Sequence, residues 1–187
     1  MAEPLIVGIS GASGAIYGVR LLEILRELAV ETHLVISHAA EITMAYETGR
    51  KIAEVKALAS RVYPAKDIAA SIASGSFRTR GMVIAPCSMR SMAEIATGIT
   101  SSLLTRAADV VLKERRRLVL LVRETPLHTG HLRTMTALSE MGAIIAPPVP
   151  AFYARPASLE EMIDHTLGRV LDLFDIESGR VRRWERT

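Results

Sequence analysis

A single cysteine, Cys87, stands in 187 residues. No intrachain disulfide can form, and a reducing compartment, the cytoplasm, is the expected setting. Aromatic residues make up only 4% of the chain, too few to interleave with the basic clusters KERRR (113–117) and RVRRWER (180–186). The net charge of +3 is therefore no argument for nucleic acid; a small anionic substrate or solvated helix ends account for it as well. No apolar run reaches the ~18 residues of a membrane span. The first run, Leu5–Ile9, follows MAEP without a basic region, so no signal peptide is expected. His38, His128 and His131 lack metal-ligand spacing, and no metal site is expected. The turn after the first run is not G-x-G-x-x-G, and no acidic residue closes a second run some twenty residues on, which speaks against a dinucleotide.

What is present is apolar and regular. Hydrophobic residues make up 49% of the chain, enough for a substantial core, and the length fits one domain at roughly 100–200 residues per domain. Short, nearly continuous apolar runs at Leu5–Ile9, Thr32–Ser37, Gly81–Ala85, Arg117–Val122 and Ala143–Ala146 read as strands buried on both faces. Helical patterns separate them: Ala15–Leu28, Ala39–Thr48, Ile52–Ala59, Ser88–Ala96, Ser101–Lys113, Gly130–Met141 and Ser158–Phe174. Ser158 with Glu161 makes a capping box. The alternation predicts a single-domain, Rossmann/flavodoxin-like α/β fold with a doubly wound parallel sheet and flanking helices. PPVPAFYARP, 147–156, is expected to be a stiff exposed loop, and residues 180–187 a C-terminal tail.

Open α/β sheets bind ligands at the carboxyl ends of their strands. Here those ends carry SGASGA, SHAAE, PCSMRS, RETP and PPVPAFY. The first lies within IVGISGASGAIYG, 6–18. A loop without bulky or charged side chains, ahead of a helix, suits a mononucleotide phosphate held by the free N–H groups of the helix N-terminus. Helix capping by Ser10 or Ser13 is the other reading of the same residues. Cys87 reads more readily as a buried small residue than as a nucleophile, with no histidine partner identifiable. Glu47, taken alone, reads as a solvated helix-end residue. Arg123 and Glu124 end a buried run, where charge is costly unless paired or working; a structural Arg–Glu pair and a functional role weigh equally, and Glu124 is expected to lie deep. Arg106 and Lys113, seven apart, share a helix face.

Longer stretches carry a resemblance. GASGAIYGVRLLE, HLVISHAAE, YET, APCSM, ATG, LLTRAADVVLKERRRLVLLVRE, His131–Leu132, GAIIAPPVPAFYARP and the helix of Arg169 are similar, over nearly the whole chain, to the UbiX/Pad-type flavin prenyltransferases. That family joins a dimethylallyl group from dimethylallyl phosphate to reduced FMN, and its product, prenylated FMN, serves UbiD-type decarboxylases. The resemblance implies an FMN loop at Gly11, Ala12 and Ser13. It implies further flavin contacts from Ser37, Ser88, Met89, Arg90, Ser91 and Arg123. A cage for the prenyl phosphate is implied at Arg106, Lys113, Arg123, Tyr153 and Arg169. Glu47 and Glu124 resemble the acid–base carboxylates, with Ser13 as a proton relay. No metal is implied where Lys and Arg carry the leaving charge. A cytoplasmic homo-oligomer, a dodecamer, with sites between subunits is also implied. Val122 departs from a common Pro, LHTGHLRTM from an HLENM-like run, and Arg90 from small or other polar residues.

Two other classes compete. An FMN-dependent cysteine decarboxylase would carry a PASANT-like loop and P-x-M-N-x-x-M-W; here the loop is PCSMRS and the second motif is absent. A non-catalytic flavin carrier or accessory subunit would not need Glu47, Glu124, Lys113 and Arg169, all of which are present.

Overall fold

The structure is a computed structural model and describes residues 3–184. Six parallel strands, β1 (Leu5–Ile9), β2 (Thr32–Ile36), β3 (Arg61–Tyr63), β4 (Gly81–Cys87), β5 (Arg117–Val122) and β6 (Ile144–Ile145), form one sheet. Their order is β3-β2-β1-β4-β5-β6, the Rossmann order rather than the 2-1-3-4-5 of flavodoxin. Helices α1 (Ala15–Glu27), α2 (His38–Thr48), α3 (Ile52–Lys56), α4 (Met89–Thr97), α5 (Leu103–Lys113), α6 (Thr129–Glu140) and α7 (Leu159–Asp172) flank it.

Both faces of the sheet are covered, and the strands read accordingly. All five residues of β1 are buried. Leu5, Val7 and Ile9 join the layer of Val19 and Leu22 (α1) and Leu167 and Leu171 (α7). Ile6 points the other way, into the layer of Met92 (α4) and Leu104 and Val111 (α5). Burying each such Leu or Ile contributes about 1.5–3 kcal/mol. Helix α1 lies directly on the sheet because Gly18 has no side chain; a Cβ there would sit 2.4 Å from the Ala85 carbonyl oxygen.

Four details depart from the sequence reading. Edge strand β3, only three residues long, carries no period to detect. Strand β4 continues through Pro86 to Cys87; its pairing with β5 is irregular between Ile84 and Cys87, where a missing N–H is tolerated. The expected tail is pinned as far as it is described. Arg180 pairs with Asp164 and Glu27, and Arg183 with Asp172; residues 185–187 lie outside the described residues. In the expected capping box, Ser158 accepts from Glu161 N (3.2 Å), while the Glu161 carboxylate reaches Ala157 N (2.7 Å) rather than Ser158.

Candidate active site

β1 and β4 are neighbours from which the chain winds in opposite directions, and ligands of such sheets bind outside their carboxyl ends. The two following loops are joined there by Ser10, which is 1% exposed. Its hydroxyl donates to the Pro86 carbonyl (2.9 Å) and accepts from Ser88 N (2.7 Å).

Gly14 is the N-cap of α1, at φ 96°, and no side chain of its own caps the helix. The cap comes from α2: Glu47 Oε2 accepts from Gly14 N (2.8 Å) and Ala15 N (3.0 Å). The N–H groups expected to hold a phosphate thus hold a carboxylate, and neither Ser10 nor Ser13 caps the helix. Nor is Glu47 merely a solvated helix end. Burial pushes its pKa up, but hydrogen bonds from the Ser13 side chain and the Gly14 and Ala15 backbone, with the charge of Arg123, hold it below the usual glutamate range. The Arg123 side chain crosses Gly14, where a Cβ would meet its Cδ at 2.8 Å.

Gly11, Ala12, Ser13, Ser88, Met89, Arg90, Arg123 and Glu124 line a cleft of about 670 Å³, closed on one side by Pro147 and Pro148. Strand β5 ends at Val122, so Arg123 and Glu124 project beyond it and are exposed. Glu124 therefore sits at the rim, its Oε1 accepting from Thr125 N (2.9 Å), and not deep as expected. The two do not pair with each other, and Arg123 has no ion-pair partner among the described residues. Cys87 is fully buried, and burial pushes its thiol pKa up to about 12, which removes it as a nucleophile.

A second cleft, of about 510 Å³, shares Gly11, Ser88 and Arg90 with the first. Helices α2, α4 and α5 all start at it, and their N-caps Ser37, Ser88 and Ser102 all line it. These hydroxyls accept from Ala40 N (3.1 Å), Ser91 N (3.2 Å) and Thr105 N (3.4 Å). Three positive helix ends and several hydroxyls in one place make a better anion site than the blocked end of α1. Lys66, Ser101, Ser102 and Thr105 line it too and were missed in the sequence. The serine pair ahead of LLTRAADVV was the readable signal.

A third cleft, of about 320 Å³, adjoins the first at Pro147 and is lined by Tyr153, His165, Thr166 and Arg169. Arg169 pairs with Asp172 (2.6 Å). Lys113 is not here. It ends α5, ahead of the amino end of β5, and pairs with Glu114. An 11-residue helix spans about 15 Å between its end residues, so Lys113 lies across the sheet from the clefts. Arg106 pairs with Asp109 (2.8 Å) and lines none of the three. One chain therefore brings together Arg123, Glu47 and Ser13, and separately Tyr153 and Arg169, but not the full cage expected. Among the described residues there is no cluster of three His, Cys, Asp or Glu suited to a metal, and no helix long and apolar enough to cross a membrane.

A doubly wound sheet with clefts along its carboxyl edge, one of them rich in helix N-termini, defines a phosphate-ester-binding α/β protein. The family model described as Flavoprotein matches residues 2–183. The flavin prenyltransferase UbiX of Escherichia coli K12 is 64% identical over 173 residues, covering 92% of this chain and 92% of that protein. The crystal structure of AnUbiX (PadA1) in complex with FMN and dimethylallyl pyrophosphate superposes with a TM-score of 0.98 at 49% identity, covering all of both chains. That of a dodecameric FMN-dependent UbiX-like decarboxylase from E. coli O157:H7 gives 0.95 at 50% identity, covering 98% of this chain and all of that one. The chain belongs to the flavoprotein family and, within it, to the UbiX-type flavin prenyltransferases.

Proposed function

We propose that this protein is a flavin prenyltransferase, which joins a dimethylallyl group from dimethylallyl phosphate to reduced FMN and supplies prenylated FMN to a UbiD-type decarboxylase. The carrying observation is the row of three adjoining clefts. The FMN phosphate suits the cleft of Ser37, Ser88 and Ser102, with its three helix N-termini. The flavin ring suits the middle cleft beside Gly11, Ala12, Ser13, Met89, Arg90 and Arg123. The prenyl phosphate suits the third, beside Tyr153 and Arg169. Clefts in this order bring a flavin ring edge up to the allylic carbon.

FMN is the acceptor substrate and supplies the electron-rich ring positions that take the prenyl group. The chain's own groups handle charge and protons. Breaking the allylic C–O bond leaves a phosphate, which Arg169 and the Tyr153 hydroxyl stabilise as its charge grows. Arg123, without an ion-pair partner among the described residues, can turn from Glu47 to the same anion. The Oε2 of Glu47 is engaged by two N–H groups, so proton transfer there passes through its other oxygen and Ser13. Glu124, at the rim, is the second carboxylate within reach of the ring.

Lys113 joins the cage only from another copy of the chain, and Arg106 travels on the same helix. We therefore assign the active form to a homo-oligomer with composite sites, a dodecamer like its E. coli relative. The whole chain, 1–187, acts as one flavin-binding unit, and its one cysteine, buried and unpaired, fits a cytoplasmic setting. Incubation with reduced FMN and dimethylallyl phosphate, followed by mass analysis of the flavin, tests the assignment. A flavin heavier by one prenyl group is expected; unchanged FMN overturns it and favours the carrier reading.

A further inference from the structure

His165 lines the third cleft with only 6% of its surface exposed. It is on α7, one turn before Arg169. Its Nε2 faces two oxygens at once: the Tyr153 hydroxyl at 3.4 Å and the Arg182 carbonyl at 3.4 Å. A carbonyl oxygen has no proton to give. The contact with Arg182 is favourable only if Nε2 carries hydrogen, which is true of the imidazolium and of one neutral tautomer. The other tautomer would set a nitrogen lone pair against a carbonyl lone pair. With Nε2 as donor, the Tyr153 oxygen must accept from it.

That fixes the direction of the phenol. One lone pair of the Tyr153 oxygen is taken by the imidazole, and its own proton has no acceptor among the described residues. The proton is left to point into the cleft that Tyr153 shares with Arg169. Two edge-to-face contacts hold the ring, His165 at 5.6 Å and 82° and Trp184 at 5.3 Å and 80° between centroids. The phenol is thus oriented before any ligand arrives.

We propose that His165 is a positioning residue for the donor phosphate: its Nε2–H makes the Tyr153 hydroxyl a dedicated donor to an anionic oxygen. This rests on the reading of the third cleft as the prenyl-phosphate site. The role requires an N–H donor at the Nε2 position, not an imidazole as such. A glutamine amide can supply one and a leucine of similar bulk cannot.

The test is titration of dimethylallyl phosphate into protein loaded with oxidised FMN, which binds without turnover, for the parent, His165→Gln, His165→Leu, Tyr153→Phe and the His165→Leu/Tyr153→Phe double variant. His165→Leu should weaken the donor roughly three- to tenfold, the worth of freeing one ordered side chain. His165→Gln should stay close to the parent. In the Tyr153→Phe background the leucine should add nothing. FMN affinity, unchanged throughout, verifies that each variant is folded. Equal weakening by Gln and Leu, parental affinity in His165→Leu, or a leucine effect that persists without the Tyr153 hydroxyl would each overturn the inference. A parent that binds the donor yet fails to prenylate reduced FMN would instead overturn the prenyltransferase reading, and the titration would still decide the role of His165.

Discussion

Glu47 and Gly14, 33 residues apart, form the cap of helix α1: the carboxylate of one accepts the N–H of the other at 2.8 Å. The residue proposed to move a proton therefore also closes the helix that follows the glycine-rich loop. Structure and chemistry at Glu47 are separable by choice of substituent. Glu47→Ala removes the cap and should cost about 0.5–2 kcal/mol, read as a lower urea midpoint. Glu47→Gln keeps an acceptor oxygen and should stay near parental stability, while the proton-dependent step slows by roughly 10²–10⁴. Glu124→Gln, at an exposed rim position, should slow that step similarly with no change in the urea midpoint. Single-turnover kinetics at parental rate in both glutamine variants would remove the acid–base assignment.

Arg169 and Lys113 stand on opposite sides of one chain's sheet. Arg169→Ala should weaken dimethylallyl phosphate by one to two decades, corresponding to roughly 1.5–3 kcal/mol for a charge-assisted contact, and leave FMN bound. Lys113→Ala should do the same. Coexpressed, the two weakened variants should regain parental donor affinity at about a quarter of their composite sites, the share in which random mixing leaves both residues intact. Absence of recovery in mixed oligomers of parental size would mean that the site does not draw on a second copy.

Ser102 caps α5 at the cleft where three helices start. Ser102→Ala should weaken FMN about tenfold, the loss of one hydroxyl contact to a charged phosphate. Riboflavin, which lacks the phosphate, should bind parent and variant alike. Equal losses for both flavins would place the phosphate elsewhere.

His33 should contribute to the acid side of the stability profile, ahead of the depressed carboxylates. It is 2% exposed in β2, with Nδ1 3.0 Å from the Tyr63 hydroxyl. Burial pushes its pKa down, against the raising effect of Glu31. The unfolded chain then binds this proton first, near pH 6.5, and the folded chain only at lower pH. Stability should be flat above about pH 7 and fall as the pH drops below 6.5, by at most about 1.4 kcal/mol per pH unit from this group. Urea midpoints between pH 7.5 and 5 test this, and the slope should be lost in His33→Gln. A midpoint constant over that range would mean that His33 protonates in place at no cost.

Much of this was legible in the sequence because burial on both faces writes itself as uninterrupted apolar runs. The limits of β1 and β5 could be read to the residue. Edge strand β3 left no trace, since three residues of which only Tyr63 is buried make no run. At the site, Gly11, Ser13, Ser37, Ser88 and Arg123 could be read because strand ends are local features. The cap at Glu47 could not, because it joins residues 33 apart through the packing of α2 on α1. Nor could the separation of Lys113: a shared helix face says nothing about which edge of the sheet that end of the helix reaches. Nor could the depth of Glu124: the end of β5 at Val122 was legible, but which residues beyond it are covered depends on what packs over the strand end.

The hydroxyl of Ser10, itself buried, ties the loop after β1 to the loop after β4 from beneath. Anyone seeking to change which flavin this scaffold accepts faces a coupled design problem. Both partners of Ser10 are backbone atoms of the PCSMRS segment, so a transplanted glycine loop without a hydroxyl at this position, or set against a segment with a different backbone path, would arrive with a severed fastening, and the ring cleft and the phosphate cleft would shift together. The unit of exchange between such proteins is the pair of loops, although the bond that joins them spans residues 78 apart.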